Sequence, residues 1–201
     1  MTKKVLNLKP KDMFFYVFSS YLLIGMHISI EHVGGYGLYL PFNIIGWIFI
    51  SILIGLGLYQ VSRTERLIYS NFSIYCLMGS ALMFLPLFYS NNVHSDLAVM
   101  RMLGLSGGLL LYLSFQQFKF NKEEKVRYLY VILGSVIIQI LLRSFFIFNP
   151  EFGAMAQKNV FATFLATGTA IALFLLVNEK DGFNNIIKQI MVLSIPFLSC
   201  I

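Results

Sequence analysis

Six stretches of mostly apolar residues, 13–30, 39–60, 68–89, 97–117, 127–148 and 160–178, follow one another along this chain with only short polar connectors between them. A helix rises about 1.5 Å per residue, so roughly twenty residues cross the ~30 Å hydrocarbon core of a bilayer. That core holds no water to bond backbone N–H and C=O groups, so the six stretches are expected as helices rather than as an open sheet. Connectors this short make neighbouring helices antiparallel. A seventh apolar piece, 190–201, is too short to cross. It is expected either as a half-helix or, by preference, as the first part of a seventh span. The expected architecture is all-α, a polytopic helical bundle in which residues 1–201 form a single membrane domain.

Composition points the same way. With 58% hydrophobic and 12% charged residues, the 201-residue chain has too little polar surface to coat a soluble globule. Twenty Phe, nine Met and 15 Gly suit lipid-facing surfaces and close helix packing. Cys76 and Cys200 lie in apolar stretches, where thiols are inert packing residues, and neither is assigned a redox or metal role. The net charge of +6 comes from cations scattered between apolar runs, with no basic motif interleaved by aromatics, so nucleic acid is not an expected partner. Lys3, Lys4, Lys9 and Lys11 precede the apolar run from Met13 in the manner of a signal peptide. No small-x-small cleavage site closes that run and further spans follow, so an uncleaved first span is expected.

The cations set orientation, because cytoplasmic segments carry an excess of Lys and Arg. With the N-terminus inside, twelve of the fifteen fall on the inner side: Lys3, Lys4, Lys9, Lys11, Arg63, Arg66, Lys119, Lys122, Lys125, Arg127, Lys180 and Lys188. Only Arg101, Arg143 and Lys158 fall outside. A cytoplasmic N-terminus follows, and "FKFNKEEKVR" at 118–127 reads as a solvated inner loop.

The three outer cations need a reason. Arg101 and Arg143 lie about one turn inside apolar stretches, where a charge is costly unless it snorkels, pairs, or meets an anion. Snorkelling is the plain reading. Binding of a phosphate-bearing substrate is the functional one, since the guanidinium fork matches phosphate oxygens. Glu31, His32 and "NNVHSD" at 91–96 fall on the same side, where the loop histidines His32 and His94 read as solvated side chains. His27, inside the first stretch, reads as a buried polar contact. The chain has no HExxH, no CxxC and no Gly-rich phosphate loop; "GLSGG" at 104–108 is a mid-span packing surface. No metal is expected.

The polar triplet Gln157-Lys158-Asn159 opens the sixth stretch. Asn159 fits an N-cap, with Thr163 and Thr167 bonding back to helix carbonyls. An outward helix N-terminus also offers free N–H groups and the positive end of the macrodipole, and Lys158 adds a full charge, which together favour an anion.

The stretch "FGAMAQKNVFATFLATG" at 152–168 resembles the segment that opens a span in the bacterial O-antigen ligase and protein O-oligosaccharyltransferase superfamily. "GGYGLYLPFNIIGW" at 34–47 and "RMLGLSGGLLLYLSFQQ" at 101–117 resemble the protein O-oligosaccharyltransferase branch, in matching order, so the resemblance covers nearly the whole chain. It departs from the family at Met155 and Ala156, where members carry an aromatic residue and a second Gln. The resemblance implies the N-terminal part of a larger glycosyltransferase-type inner-membrane enzyme. Such an enzyme takes a glycan from an undecaprenyl-pyrophosphate carrier at the periplasmic face and passes it to a protein Ser or Thr, or to lipid A core sugar. It implies that Gln157 and its neighbours shape the donor site. No cofactor is required, because the carrier is already activated. It also implies that the large periplasmic loop with the transfer residues follows further spans, so that this stretch of chain alone transfers no glycan.

Two other readings fit the same pattern. One is a polysaccharide polymerase or other handler of the lipid carrier, which would share the outer cations and differ in acceptor. The other is a small transporter or structural multi-pass protein. A transporter is expected to show polar or broken helices at mid-membrane. Here mid-span polarity is limited to residues such as Ser51, Ser135 and Gln139, which favours the enzyme.

Overall fold

The computed structural model describes residues 9–27, 44–88, 95–144 and 158–178, and all regular structure among them is helical. The helices are α1 (Pro10–Leu23), α2 (Ile44–Thr64), α3 (Asn71–Phe84), α4 (Ser95–Gln116), α5 (Lys122–Ser144) and α6 (Lys158–Asn178). Short 3-10 turns, Gly25–His27 and Leu85–Phe88, follow α1 and α3. Glu31, His32, His94, Gln157, Cys200 and the apolar piece 190–201 lie outside the described residues.

Two helical segments are long and apolar enough to cross a membrane, α2 and Lys122–Leu142 of α5. Only 22% and 33% of their apolar windows are buried, whereas the core helix of a soluble protein would be covered by its neighbours. Asn71–Phe84, Met102–Gln116 and Phe161–Val177 are apolar but shorter. The exposed apolar surface is not confined to the two long helices. Along α3, Phe72, Ile74, Tyr75, Leu77, Met78, Leu82 and Met83 are all exposed, so this helix presents apolar side chains around most of its circumference.

Local chemistry sets where the helices begin and end. The third apolar stretch was expected to be helical from residue 68, but α3 starts at Asn71. Ser70 caps it in an extended conformation: the Ser73 backbone N–H donates to Ser70 Oγ at 3.2 Å, and the Ser70 N–H donates to Ser73 Oγ at 3.1 Å. At the other end Pro86 has no N–H to continue the ladder, and the chain tightens into a 3-10 turn. The "solvated" loop at 118–127 gives up most of its length to α5, which begins at Lys122. There the Glu124 N–H donates to Asn121 Oδ1 and the Asn121 N–H to Glu124 Oε2, both at 2.8 Å, a second reciprocal cap.

The chain divides into two compact units, residues 1–21 with 36–120, and residues 22–35 with 121–201. In the first, α2 and α4 pack side by side and run the same way. A Cβ on Gly107 would lie 3.2 Å from the Trp47 ring, and one on Gly57 would lie 2.7 Å from the Ser114 Cα, so these helices meet backbone to backbone. Helix α3 runs opposite to α4, with Phe72 edge-on to Tyr112 at 6.0 Å and Ser70 bonded to Gln116. Helix α1 opposes α2: Phe14 packs on Phe115 and Phe118 at one end, and Tyr21 meets Phe49 nearer the other. In the second unit α5 and α6 bury Leu133, Val136, Ile140, Phe161, Leu165, Ala172 and Leu175 in one apolar cluster. Gly168 allows that approach, since a Cβ there would sit 2.8 Å from Val136 Cγ1.

Candidate functional site

The five residues singled out in the sequence divide between the units. Arg101 belongs to α4 in the first, seven residues into the helix, while Arg143, Lys158 and Asn159 belong to the second. Arg143 falls in the last turn of α5, and Lys158 and Asn159 open the first turn of α6. Asn159 is therefore inside the helix rather than at its cap, one or two positions later than an N-cap requires. Further along, the Thr167 hydroxyl donates to the Thr163 carbonyl at 2.9 Å, the expected back-bonding, and Thr169, not singled out in the sequence, does the same to Leu165 at 3.0 Å.

What the second unit does assemble is a buried polar cluster in an apolar setting. Ser135 and Gln139 are fully buried on α5, one turn apart and so on one face. Opposite them is the 3-10 turn after α1. Ser135 Oγ donates to Met26 Sδ at 3.0 Å, and the Gln139 amide nitrogen lies 2.9 Å from His27 Nδ1. Leu23 supports the arrangement by packing where Gly134 leaves room, 3.2 Å from where a Cβ would be. Either ring tautomer can make this contact, since the side-chain amide carries a donor and an acceptor on one group. His27 Nε2 is buried without a hydrogen-bond partner among the described residues. The sequence reading of His27 as a buried polar contact agrees with this geometry, but nothing in the sequence singled out Gln139 as its partner. A signal was present: Ser135, Gln139 and Arg143 recur every four residues, one stripe along α5.

A second polar network lies at one end of the first unit. Gln117, almost fully buried, donates from its amide to the Ile68 carbonyl at 2.9 Å and accepts the Ile68 N–H at 3.0 Å. Its neighbour Gln116 accepts from the Ser73 hydroxyl at 2.7 Å and donates to Ser70 Oγ at 3.2 Å and to the Tyr112 hydroxyl. These bonds pin the 65–70 connector to the end of α4. Every polar group in the pairing of Gln117 with Ile68 is satisfied, which marks it as structural. Among the described residues no group of three or more His, Cys, Asp or Glu could hold a metal ion, and Cys76 is a free thiol.

No protein-family model, no curated protein and no solved structure matches the chain.

Proposed function

We propose that the chain is a multi-pass inner-membrane protein with a cytoplasmic N-terminus and six spans, and that it is the membrane-embedded part of a glycan-transferring enzyme. The donor would be an undecaprenyl-pyrophosphate-linked glycan, and the acceptor a protein hydroxyl or lipid A core sugar at the periplasmic face. The observation that carries this reading is the start of α6 at Lys158, within the segment that resembles the ligase and oligosaccharyltransferase superfamily. In this reading a helix of 21 residues opening there would turn its first-turn N–H groups and positive dipole end toward the side on which the resemblance places the donor. Pyrophosphate is the leaving group of such a transfer, and groups that stabilise its developing charge lower the barrier most. Two features support the membrane component: the largely unburied apolar helices, and five cations, Lys9, Lys11, Arg63, Arg66 and Lys119, at one end of the first unit.

The test is retention of undecaprenyl pyrophosphate by the purified chain in phosphatidylcholine nanodiscs. Lys158→Ala should weaken retention about tenfold, the equivalent of ~1.4 kcal/mol, with folded yield unchanged. Gln157→Ala should weaken it as well. If α6 only needs stabilising at its first turn, Asn159→Ala lowers folded yield while the Gln157 and Lys158 variants retain the carrier fully, and the donor-site reading is lost.

One observation favours a second reading, a small transporter. An ionisable His27 buried with Gln139 within apolar segments is the kind of group that membrane transporters use along an ion path. Proton or solute flux in sealed vesicles that disappears in His27→Leu would support it over the enzyme.

A further inference from the structure

The short connector between α2 and α3 is built as a rigid, outward-facing loop. Helix α2 ends at Thr64, whose hydroxyl donates to the Gln60 carbonyl at 2.9 Å, and Glu65 then turns the chain through a left-handed conformation with φ 51°. Next comes a non-helical run, Arg66 to Ser70, whose last residue is extended. Gln117 holds Ile68 by both of its backbone polar groups, and Ser70 is tied into the α3 cap. Leu67 and Tyr69 are turned outward, 63% and 65% exposed, against 38% for Ile68 between them. Arg63 and Arg66, both exposed, flank the turn.

Other cations reach the same end of the unit. Gln117 is two residues from Lys119, which is exposed, and Phe118 packs on Phe14 at 4.9 Å, which brings the start of α1 with Lys9 and Lys11 to this level. Five cations thus face two acidic residues, Asp12 and Glu65. Fixed outward apolar and aromatic side chains, immediately beside exposed arginines at the end of a helix long enough to cross a bilayer, match the headgroup boundary of a membrane. There Tyr sits at the interface and cations meet lipid phosphates.

We propose that the 63–70 loop, with Lys119, is a binding surface for anionic phospholipid headgroups, with Leu67 and Tyr69 anchored at the acyl boundary and Arg63 and Arg66 on the phosphates. This rests on the membrane reading above and not on glycan transfer. Because Gln117 fixes the loop before any lipid arrives, little ordering cost is left for binding, and this connector serves as a preformed site.

The experiment uses the full chain purified in a neutral detergent, with lipid retention measured by native mass spectrometry for phosphatidylglycerol and for phosphatidylcholine. Phosphatidylglycerol should be retained preferentially. The Arg63→Gln/Arg66→Gln double variant should lose about thirtyfold in apparent affinity for it, and the corresponding Lys double variant should keep most of it. Added salt should erode the preference. Equal retention of the two lipids by the unaltered chain overturns the proposal, as does a phosphatidylglycerol preference that survives in the Gln double variant. Full competition by free glycerol phosphate, or by an acidic peptide that binds without lipid, would assign the surface to a soluble ligand and overturn it too. Because these variants alter none of Gln157, Lys158 or Arg101, loss of undecaprenyl pyrophosphate retention alone leaves this proposal standing.

Discussion

The amide nitrogen of Gln139 lies 2.9 Å from Nδ1 of His27, a buried contact closed across 112 residues of chain. It partners one nitrogen of the imidazole, while the other, Nε2, is buried without a hydrogen-bond partner among the described residues. Removing one member of a buried pair leaves an unsatisfied group and costs about 1–3 kcal/mol, whereas removing both can be close to neutral. Gln139→Leu should therefore destabilise the chain in detergent unfolding, and the His27→Leu/Gln139→Leu double variant should recover most of the loss. Strictly additive single effects would show that the two side chains do not interact.

The approach of α5 and α6 should be sensitive at one glycine. A methyl at Gly168 would lie 2.8 and 2.9 Å from the two γ carbons of Val136, well inside van der Waals contact. Gly168→Ala should cost about 1–3 kcal/mol by overpacking, and Val136→Ala should relieve it in the double variant. Gly108 has nothing within 4 Å of its hypothetical Cβ, so Gly108→Ala should be neutral or slightly stabilising. Thermal unfolding of the three variants in one detergent checks the contrast.

Gln117 should control the order of the α2–α3 connector. Its amide satisfies both the N–H and the C=O of Ile68. Gln117→Leu keeps the volume and removes both bonds, so the Ile68 amide should exchange with deuterium far faster while amides in the middle of α2 keep their protection. Unchanged protection at Ile68 would mean that the cap at Ser70 holds the loop by itself.

The proposed topology rests on the distribution of charge. A reporter joined after Lys122 should behave as cytoplasmic and one joined after Asn92 as periplasmic. The reverse pattern would overturn the orientation, and two reporters on one side would overturn the antiparallel order of the spans.

The all-helical character of the described residues, the approximate position of each helix and the collection of cations at one end of the first unit were all readable without coordinates. Each depends on local quantities: run length, apolar content, and cations placed by position in the chain. Helix starts were readable in principle, because Asn121 with Glu124 is a capping box written in sequence order. They were misread where a charge run was taken for loop. The start of α3 depends on Ser70 and Ser73, two ordinary residues in an apolar stretch. Neither the pairing of His27 with Gln139 nor that of Gln117 with Ile68 was readable. Each joins residues 112 or 49 positions apart, and which polar side chains meet depends on how closely helices approach and at what rotation. Glycines 57, 107 and 168 allow that approach, but only the packed helices decide which side chain fills the space beside each one, because burial makes a polar group's partner a matter of geometry rather than of sequence spacing.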